Sequence, residues 1–244
     1  MNVYYPKNLK ENLEYRANVL AQIESDPAFA AMFRALCARN IAYWINVTCW
    51  THDPRKDHST LPFISYGFQT EYIETLANAV SQGENIAVEK SRDMGVSWLT
   101  LYVFQHFWQF GNAGNDFHLG SDKEDLVDKL DDPRALFQKL RFNIDRQPAV
   151  LLPAGYDKAK HDHFLRIVNP ATESAITGES NNPNFSRGGR YRAVLYDEFG
   201  FWRHTDRPAW TSGSDTTRCK VAVSSANGKN NHFYKLRNGE AGEN

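Results

Sequence analysis

Lys90-Ser91-Arg92-Asp93-Met94-Gly95-Val96-Ser97 is the stretch on which the reading of this chain turns. The apolar run Asn85 to Glu89 before it predicts a strand. The strongly apolar Trp98 to Phe110 after it predicts a helix hydrophobic on nearly every face, and therefore buried. A loop between a strand end and a helix start turns backbone N–H groups and the helix N-terminus toward an anion, and a hydroxyl there can reach Mg²⁺. Against the pattern G-x-x-x-x-G-K-[ST], Gly95 and Ser97 fill the sixth and eighth positions, while Lys90 replaces the first glycine and Val96 the lysine. Valine cannot neutralise phosphate, so Lys90 and Arg92 are the two candidate cations within the loop. A strand–turn–helix carrying one Gly and one Ser is common, and alone it does not assign a nucleotide site.

The second half of the pattern is Ala193-Val194-Leu195-Tyr196-Asp197-Glu198. A short apolar strand ending in two adjacent acids is what a phosphate loop needs opposite it. The first acid, Asp197, would serve the Mg²⁺ together with Ser97; the second, Glu198, would orient and polarise an attacking water. Two solvated acids at a strand end are the plain alternative, but both motifs in the right order on the right elements make coincidence less credible. Between Glu179 and Asp197 there is no acid, while Arg187, Arg190 and Arg192 gather around Gly188-Gly189. That basic loop suits a phosphate contact, a DNA contact or simple solvation.

Working outward, residues 1 to about 60 read as helical: Glu11 to Gln22 and Asp26 to Asn40 carry apolar residues at helical spacing, with Asp26-Pro27 as cap and first turn. A helix is expected around Gln69 to Ser81, and a strand at Phe117 to Leu119, stopping at Gly120. Ser121 to Glu124 reads as a capping box opening a helix through Leu130, whose acids (Asp122, Glu124, Asp125, Asp128, Asp131, Asp132) form a solvated face. Further strands are expected at Phe164 to Val168, Ser174 to Thr177, Ala193 to Tyr196 and Lys220 to Ser224. Strands alternating with helices predict a parallel sheet covered on both sides. The 244 residues suffice for one large α/β domain, and a net charge of −1 does not advertise nucleic-acid binding. Three scattered cysteines read as buried free thiols. No apolar run reaches the roughly 18 residues of a membrane span and no signal pattern opens the chain, so a cytoplasm is the expected location.

Taken together these segments resemble the ATPase domain of large terminase subunits from tailed bacteriophages. Trp50 to Arg55 with Leu61-Pro62-Phe63 is similar to the approach to that family's adenine-side motif, where Gln69 would sit. Lys90 to Trp98 is similar to its variant Walker A loop, in which an early basic residue replaces the usual lysine. Leu119 to Asp125 resembles the strand-to-helix segment that follows, and Asp197-Glu198 stands as Walker B. Arg187-Gly188-Gly189-Arg190 resembles the stretch carrying an inter-subunit arginine, and Val223 to Gly228 the coupling motif, with Ser224, Ser225 and Asn227.

The resemblance implies a RecA-like (ASCE-type) P-loop core at 61–244, with an extra strand between the two nucleotide motifs and a helical N-terminal extension at 1–60. It implies ATP bound by Gln69 and Lys90 to Ser97, Mg²⁺ at Ser97 and Asp197, and catalysis by Glu198, Asp197 and Arg187. The implied partners are double-stranded DNA, a homo-oligomeric ring at a portal and a small terminase subunit in the host cell cytoplasm. The family's C-terminal nuclease domain is expected to be absent, and nuclease activity with it. Alternatives are a helicase-like nucleic-acid-dependent ATPase, or a nucleotide-binding structural subunit without turnover. A metal hydrolase built on His161, Asp162 and His163, or on His52, Asp53 and His58, stands further off.

Overall fold

The computed structural model of the protein describes residues 3–241, so the outermost residues of the two expected segments, 1–2 and 242–244, lie outside the described residues. Three helices open the chain: α1 (Leu9–Ser25), α2 (Pro27–Arg39) and α3 (Ile41–Thr48). Asp26 accepts hydrogen bonds from the N–H groups of Ala28 and Phe29, and Pro27 opens α2, as that pair of residues dictates. The aromatic stretch that follows completes α3 and enters a two-stranded antiparallel hairpin, β1 (Trp50–His52) and β2 (Thr60–Pro62). Then α4 (Gly67–Gln82), stopped by left-handed Gly83, leads to β3 (Ile86–Glu89), the phosphate-type loop and α5 (Val96–Phe110).

The remainder alternates as β4 (Phe117–Ser121), α6 (Glu124–Val127), α7 (Leu136–Ile144), α8 (Lys158–His161), β5 (Asp162–His163), β6 (Arg166–Val168), β7 (Ala175–Ser180), β8 (Ala193–Asp197), α9 (Asp206–Gly213), β9 (Lys220–Ser224) and α10 (His232–Arg237). The seven-stranded sheet has the order β3-β9-β8-β4-β7-β6-β5; β3, β9, β8, β4 and β7 run parallel, with β6 and β5 antiparallel at the far edge. Strand β9 thus separates the loop strand β3 from the acid-bearing β8. This mixed α/β sheet, mostly parallel, is the RecA-like arrangement that the resemblance implies.

Successive residues of β8 point to opposite faces. Ala193 and Leu195 join a large apolar cluster with Leu119, Val221, Leu99 and Phe104, which extends through α1–α5 and α7. Val194 and Tyr196 join a smaller one with Phe185, Trp202 and Trp210 on the other side. Helix α5, largely apolar, lies under the sheet with Leu99, Val103, Phe104 and Trp108 fully buried. The three cysteines are buried free thiols, as expected. Among the described residues, no helix is long and apolar enough to cross a membrane.

Four expectations need correction. Strand β4 does not stop at Gly120 but runs through it to Ser121, because the missing side chain makes room for Phe185, whose ring lies 2.3 Å from where a Cβ would sit. The helix expected from Ser121 through Leu130 is only Glu124–Val127. Ser121 is buried in the strand end and caps nothing, and the N-cap Lys123 makes no side-chain cap bond. Its acids are not all solvated either. Asp128 turns inward to Arg141 (Oδ2–Nη2 2.9 Å) and accepts the N–H of Leu165, while Arg141 also holds Asp162 at 2.8 Å. That bond at left-handed Leu165 also explains why β6 begins at Arg166 and not at Phe164.

Arg141 is therefore the one cation shared by two buried carboxylates, from the end of α6 and from β5. Removing it would strand both charges in the interior, at a cost of about 3–5 kcal/mol for a broken buried pair. Arg141→Met is expected to lower the urea unfolding free energy by that amount; a loss under about 1 kcal/mol would contradict this role.

Candidate active site

Strand β3 delivers Lys90 to the C-terminal edge of the sheet, where its N–H donates to the carbonyl of Ser224 (3.0 Å). Asp93 and Gly95 both take left-handed backbone (φ 63° and 73°), which curls the loop back before α5. Gly95, the N-cap of α5, offers no side-chain cap, so the first N–H groups of α5 have no intrahelical partner and no cap from their own helix end. Val96, in the place of the usual lysine, is buried in the large apolar cluster. It stabilises the helix start by packing and has no part in charge.

Residues far apart in sequence meet here. The Ser97 hydroxyl donates to Asp197 Oδ1 at 2.9 Å, and the Lys90 ammonium donates to Glu198 Oε1 at 2.9 Å. The Lys90 side chain is only 11% exposed, whereas Arg92 is exposed and has no ion pair among the described residues. Asp197 is fixed further by Trp202, whose indole N–H donates to its carbonyl at 3.0 Å. Glu198 sits at a left-handed turn (φ 52°) that leads straight into the 3-10 turn Phe199–Phe201.

The expected coupling residues grip that turn. Ser224 Oγ accepts from the Gly200 N–H (3.0 Å) and donates to the Ser225 carbonyl (2.9 Å), while Asn227 Nδ2 donates to the Gly200 carbonyl (2.8 Å). A Cβ on Gly200 would lie 2.9 Å from Ser224 Oγ, so this close approach requires glycine. Ser224 therefore touches both the loop, through Lys90, and the turn that carries Glu198.

Beside the loop lies a cleft of about 570 Å³, walled by Pro54, Phe63, Tyr66, Gln69, Gly95 and Trp98. Gln69 Oε1 accepts from the Tyr66 N–H and its Nε2 donates to the Met94 carbonyl, both at 2.9 Å, so its amide ties the cleft wall to the loop. Arg55 bridges Asp53 and Asp93 across the cleft mouth, an exposed pair that contributes little to stability. Larger clefts of about 730 and 910 Å³ border residues preceding the strands (Asp116 and Arg192; Asn85), away from the Ser97–Asp197 pair.

Other candidates fall elsewhere. Arg187 is exposed on the β7–β8 connection and bonds Asn184. Arg192 caps the end of α4 through the Val80 and Ser81 carbonyls. Asp162 is engaged by Arg141, and His163 by the Lys160 carbonyl. One charged group had no sequence signal. Lys139 of α7 sits over the Trp98 ring (5.9 Å), and its positive charge opposes the rise of the Asp197 carboxyl.

Burial pushes the Asp197 carboxyl above the usual carboxylate range; Lys139, Ser97 and Lys90 hold it back, and Glu198 adds to the rise. A raised pKa in the fold means that the ionised form is disfavoured there. The resulting penalty is absent below the unfolded value near 3.8 and complete above the folded one. Without nucleotide, Asp197→Asn is therefore expected to raise the melting temperature at pH 7, by about 2–4 °C per kcal/mol relieved, with the gain vanishing toward pH 3.5. A melting temperature that falls at pH 7, or a gain independent of pH, would show that the carboxylate is not held under strain.

No protein-family profile matches this sequence, and no curated protein matches it. Among solved structures, the large terminase of bacteriophage HK97 aligns with 83% of this chain and 42% of its own length, at a TM-score of 0.58 and 10% identity. The ATPase domain of the Thermus phage P74-26 large terminase aligns over 66% of this chain and 68% of its own, at 18% identity and a TM-score of 0.42. The chain thus spans less than half the length of the HK97 protein. At such identity the likeness concerns the fold: this chain is built on the α/β fold found in a phage large terminase.

Proposed function

We propose that this chain binds and hydrolyses ATP with Mg²⁺, as the motor domain that drives double-stranded viral DNA into a capsid. The observation that carries the reading is the Ser97–Asp197 hydrogen bond, with Glu198 next in sequence and an uncapped helix start beside it. A hydroxyl and a carboxylate meeting at the end of a phosphate-type loop are the donor pair that Mg²⁺ takes when a nucleotide supplies further oxygens. Among the described residues, no group of three or more His, Cys, Asp or Glu converges to hold a metal. A cation here would thus arrive with phosphates, which fits Mg²⁺ and not a protein-caged ion.

In this reading the adenine end occupies the cleft at Gln69, and residues 90–97 wrap the phosphates, with backbone N–H groups facing them. Bound Mg²⁺ would neutralise phosphate charge at Ser97 and Asp197. Glu198 orients a water and takes its proton as the water oxygen attacks the γ-phosphorus. The bond from the γ-phosphorus to the bridging oxygen breaks, ADP departs with that electron pair, and the proton passes to solvent. Lys90 is already poised: its ammonium holds Glu198 at 2.9 Å and would exchange that carboxylate for phosphate oxygens. Ser224, Ser225 and Asn227 carry the resulting movement of the turn to the rest of the motor.

Arg187, exposed and bonded through its side chain to Asn184, is proposed to reach a neighbouring subunit's phosphates in a ring. The ring, a portal, DNA, a small terminase subunit and the host cytoplasm all belong to this proposal. The terminase-type fold supports them.

Glu198→Gln is expected to lower turnover by about a hundredfold or more while leaving Mg·ATP affinity within a few-fold. Lys90→Ala should weaken Mg·ATP binding at least tenfold, about 1.4 kcal/mol, and Arg92→Ala far less. Steady-state phosphate release and calorimetry read both. Unimpaired turnover in Glu198→Gln, or no ATP binding by the wild-type chain, would remove the reading.

A further inference from the structure

We propose that Lys139 and Ser121 form the γ-phosphate end of this site, Lys139 as a second phosphate cation supplied from α7 and Ser121 as a hydroxyl flanking Asp197. This rests on the nucleotide reading above and deepens it. The need is electrostatic. A triphosphate carries more negative charge than Mg²⁺ and one lysine neutralise, and Val96 leaves the loop without its usual cation. Arg92 points to solvent, so within the loop Lys90 stands alone.

Lys139 meets that need from another element. Helix α7 packs on α5, and the Lys139 ammonium lies 5.9 Å from the centre of the Trp98 ring, next in sequence to Ser97. The charges of Lys139 and Asp197 act on each other: the ammonium lowers the Asp197 carboxyl and the carboxylate raises the Lys139 ammonium, against the burial of each. Among the described residues no carboxylate comes within ion-pair distance of Lys139; its ammonium donates to the Arg134 carbonyl. A half-buried cation that feels the charges of Asp197, Asp132 and Glu198, yet has no ion pair with any of them among the described residues, is a charge available to an anionic ligand.

Ser121 supplies the independent observation. It is 1% exposed, and its hydroxyl has no hydrogen-bond partner among the described residues. Strand register pairs Phe117 with Ala193 through Gly120 with Tyr196, where that ladder ends, and Ser121 (registered with Ser180 of β7) and Asp197 are the residues that follow on the two adjacent strands at the C-terminal edge. Phe117 and Leu119 share the α5 face with Ala193 and Leu195, and the two-residue alternation puts Ser121 on that face with Asp197. Buried hydroxyls are normally partnered, so one left open beside the Mg²⁺ carboxylate marks a place where a ligand oxygen or its water completes the set.

The test compares ATP with ADP, because only ATP carries the group these residues would touch. Calorimetry with Mg²⁺ on the full chain is expected to show Lys139→Met weakening ATP about tenfold or more and ADP less than about threefold, the scale of one charge-assisted contact. Lys139→Arg should retain most of the ATP affinity, and Ser121→Ala should narrow the ATP/ADP preference about threefold or more. Melting curves accompany each variant, and Lys139→Arg, which keeps the charge over Trp98, separates loss of charge from loss of fold. Equal weakening of ATP and ADP, or an unchanged ATP/ADP ratio in both Lys139→Met and Ser121→Ala, overturns the proposal while leaving the nucleotide site itself intact. A wild-type chain that binds neither nucleotide would instead remove the site reading and this inference together.

Discussion

One hydrogen bond, from Ser97 to Asp197 across 100 positions of sequence, is the constraint around which the domain is arranged. It forms only if the helix that begins at Val96 lies under the end of β8, and three features ensure that. Val96 is anchored in the apolar cluster, α5 is buried along most of its length, and β9 fills the gap between β3 and β8 with both partners in parallel register. Trp202 then holds the main chain of Asp197 from the opposite face. The apolar core is thus what brings an acid and a hydroxyl together, at an energetic cost visible in the raised pKa of Asp197.

The same edge concentrates the moving parts. Ser224 accepts the Lys90 N–H at its carbonyl and the Gly200 N–H at its hydroxyl, so loop, coupling strand and the turn after Glu198 share one residue. A displacement of Lys90 from Glu198 is felt at both ends of that link. Asn227 doubles the grip on Gly200, and the missing Cβ there is what allows the approach. Sub-ångström shifts in such a tightly bonded cluster can switch between discrete arrangements, as packed interiors do.

Much of this was legible in the sequence, because the signals were local. Strand, loop and helix around Lys90–Ser97 follow from apolar patterning and Gly95, and β8 from four apolar residues before two acids. What was not legible depends on pairing across the chain. Asp128 looks like one acid among many in a charged segment until Arg141, thirteen residues on, folds back over it and ends the short helix. Ser121 reads as a cap because Ser-x-x-Glu usually is one, yet strand pairing with β7 continues past Gly120 and takes the serine into the sheet. Lys139 carries no motif at all. Its importance comes from α7 crossing α5 near Trp98, a tertiary contact that no spacing in the sequence announces.

The central claim is that the 90–97 loop and the Asp197-Glu198 strand end form one phosphate site whose loop cation is Lys90. A crystal structure of the chain with Mg²⁺ and a non-hydrolysable ATP analogue tests it most directly. The phosphates are expected against the N–H groups of residues 91–97, with the Lys90 ammonium moved from Glu198 onto phosphate oxygens and Mg²⁺ between Ser97 and Asp197. An analogue bound elsewhere, or Lys90 still paired with Glu198 while phosphates lie on another surface, would contradict it.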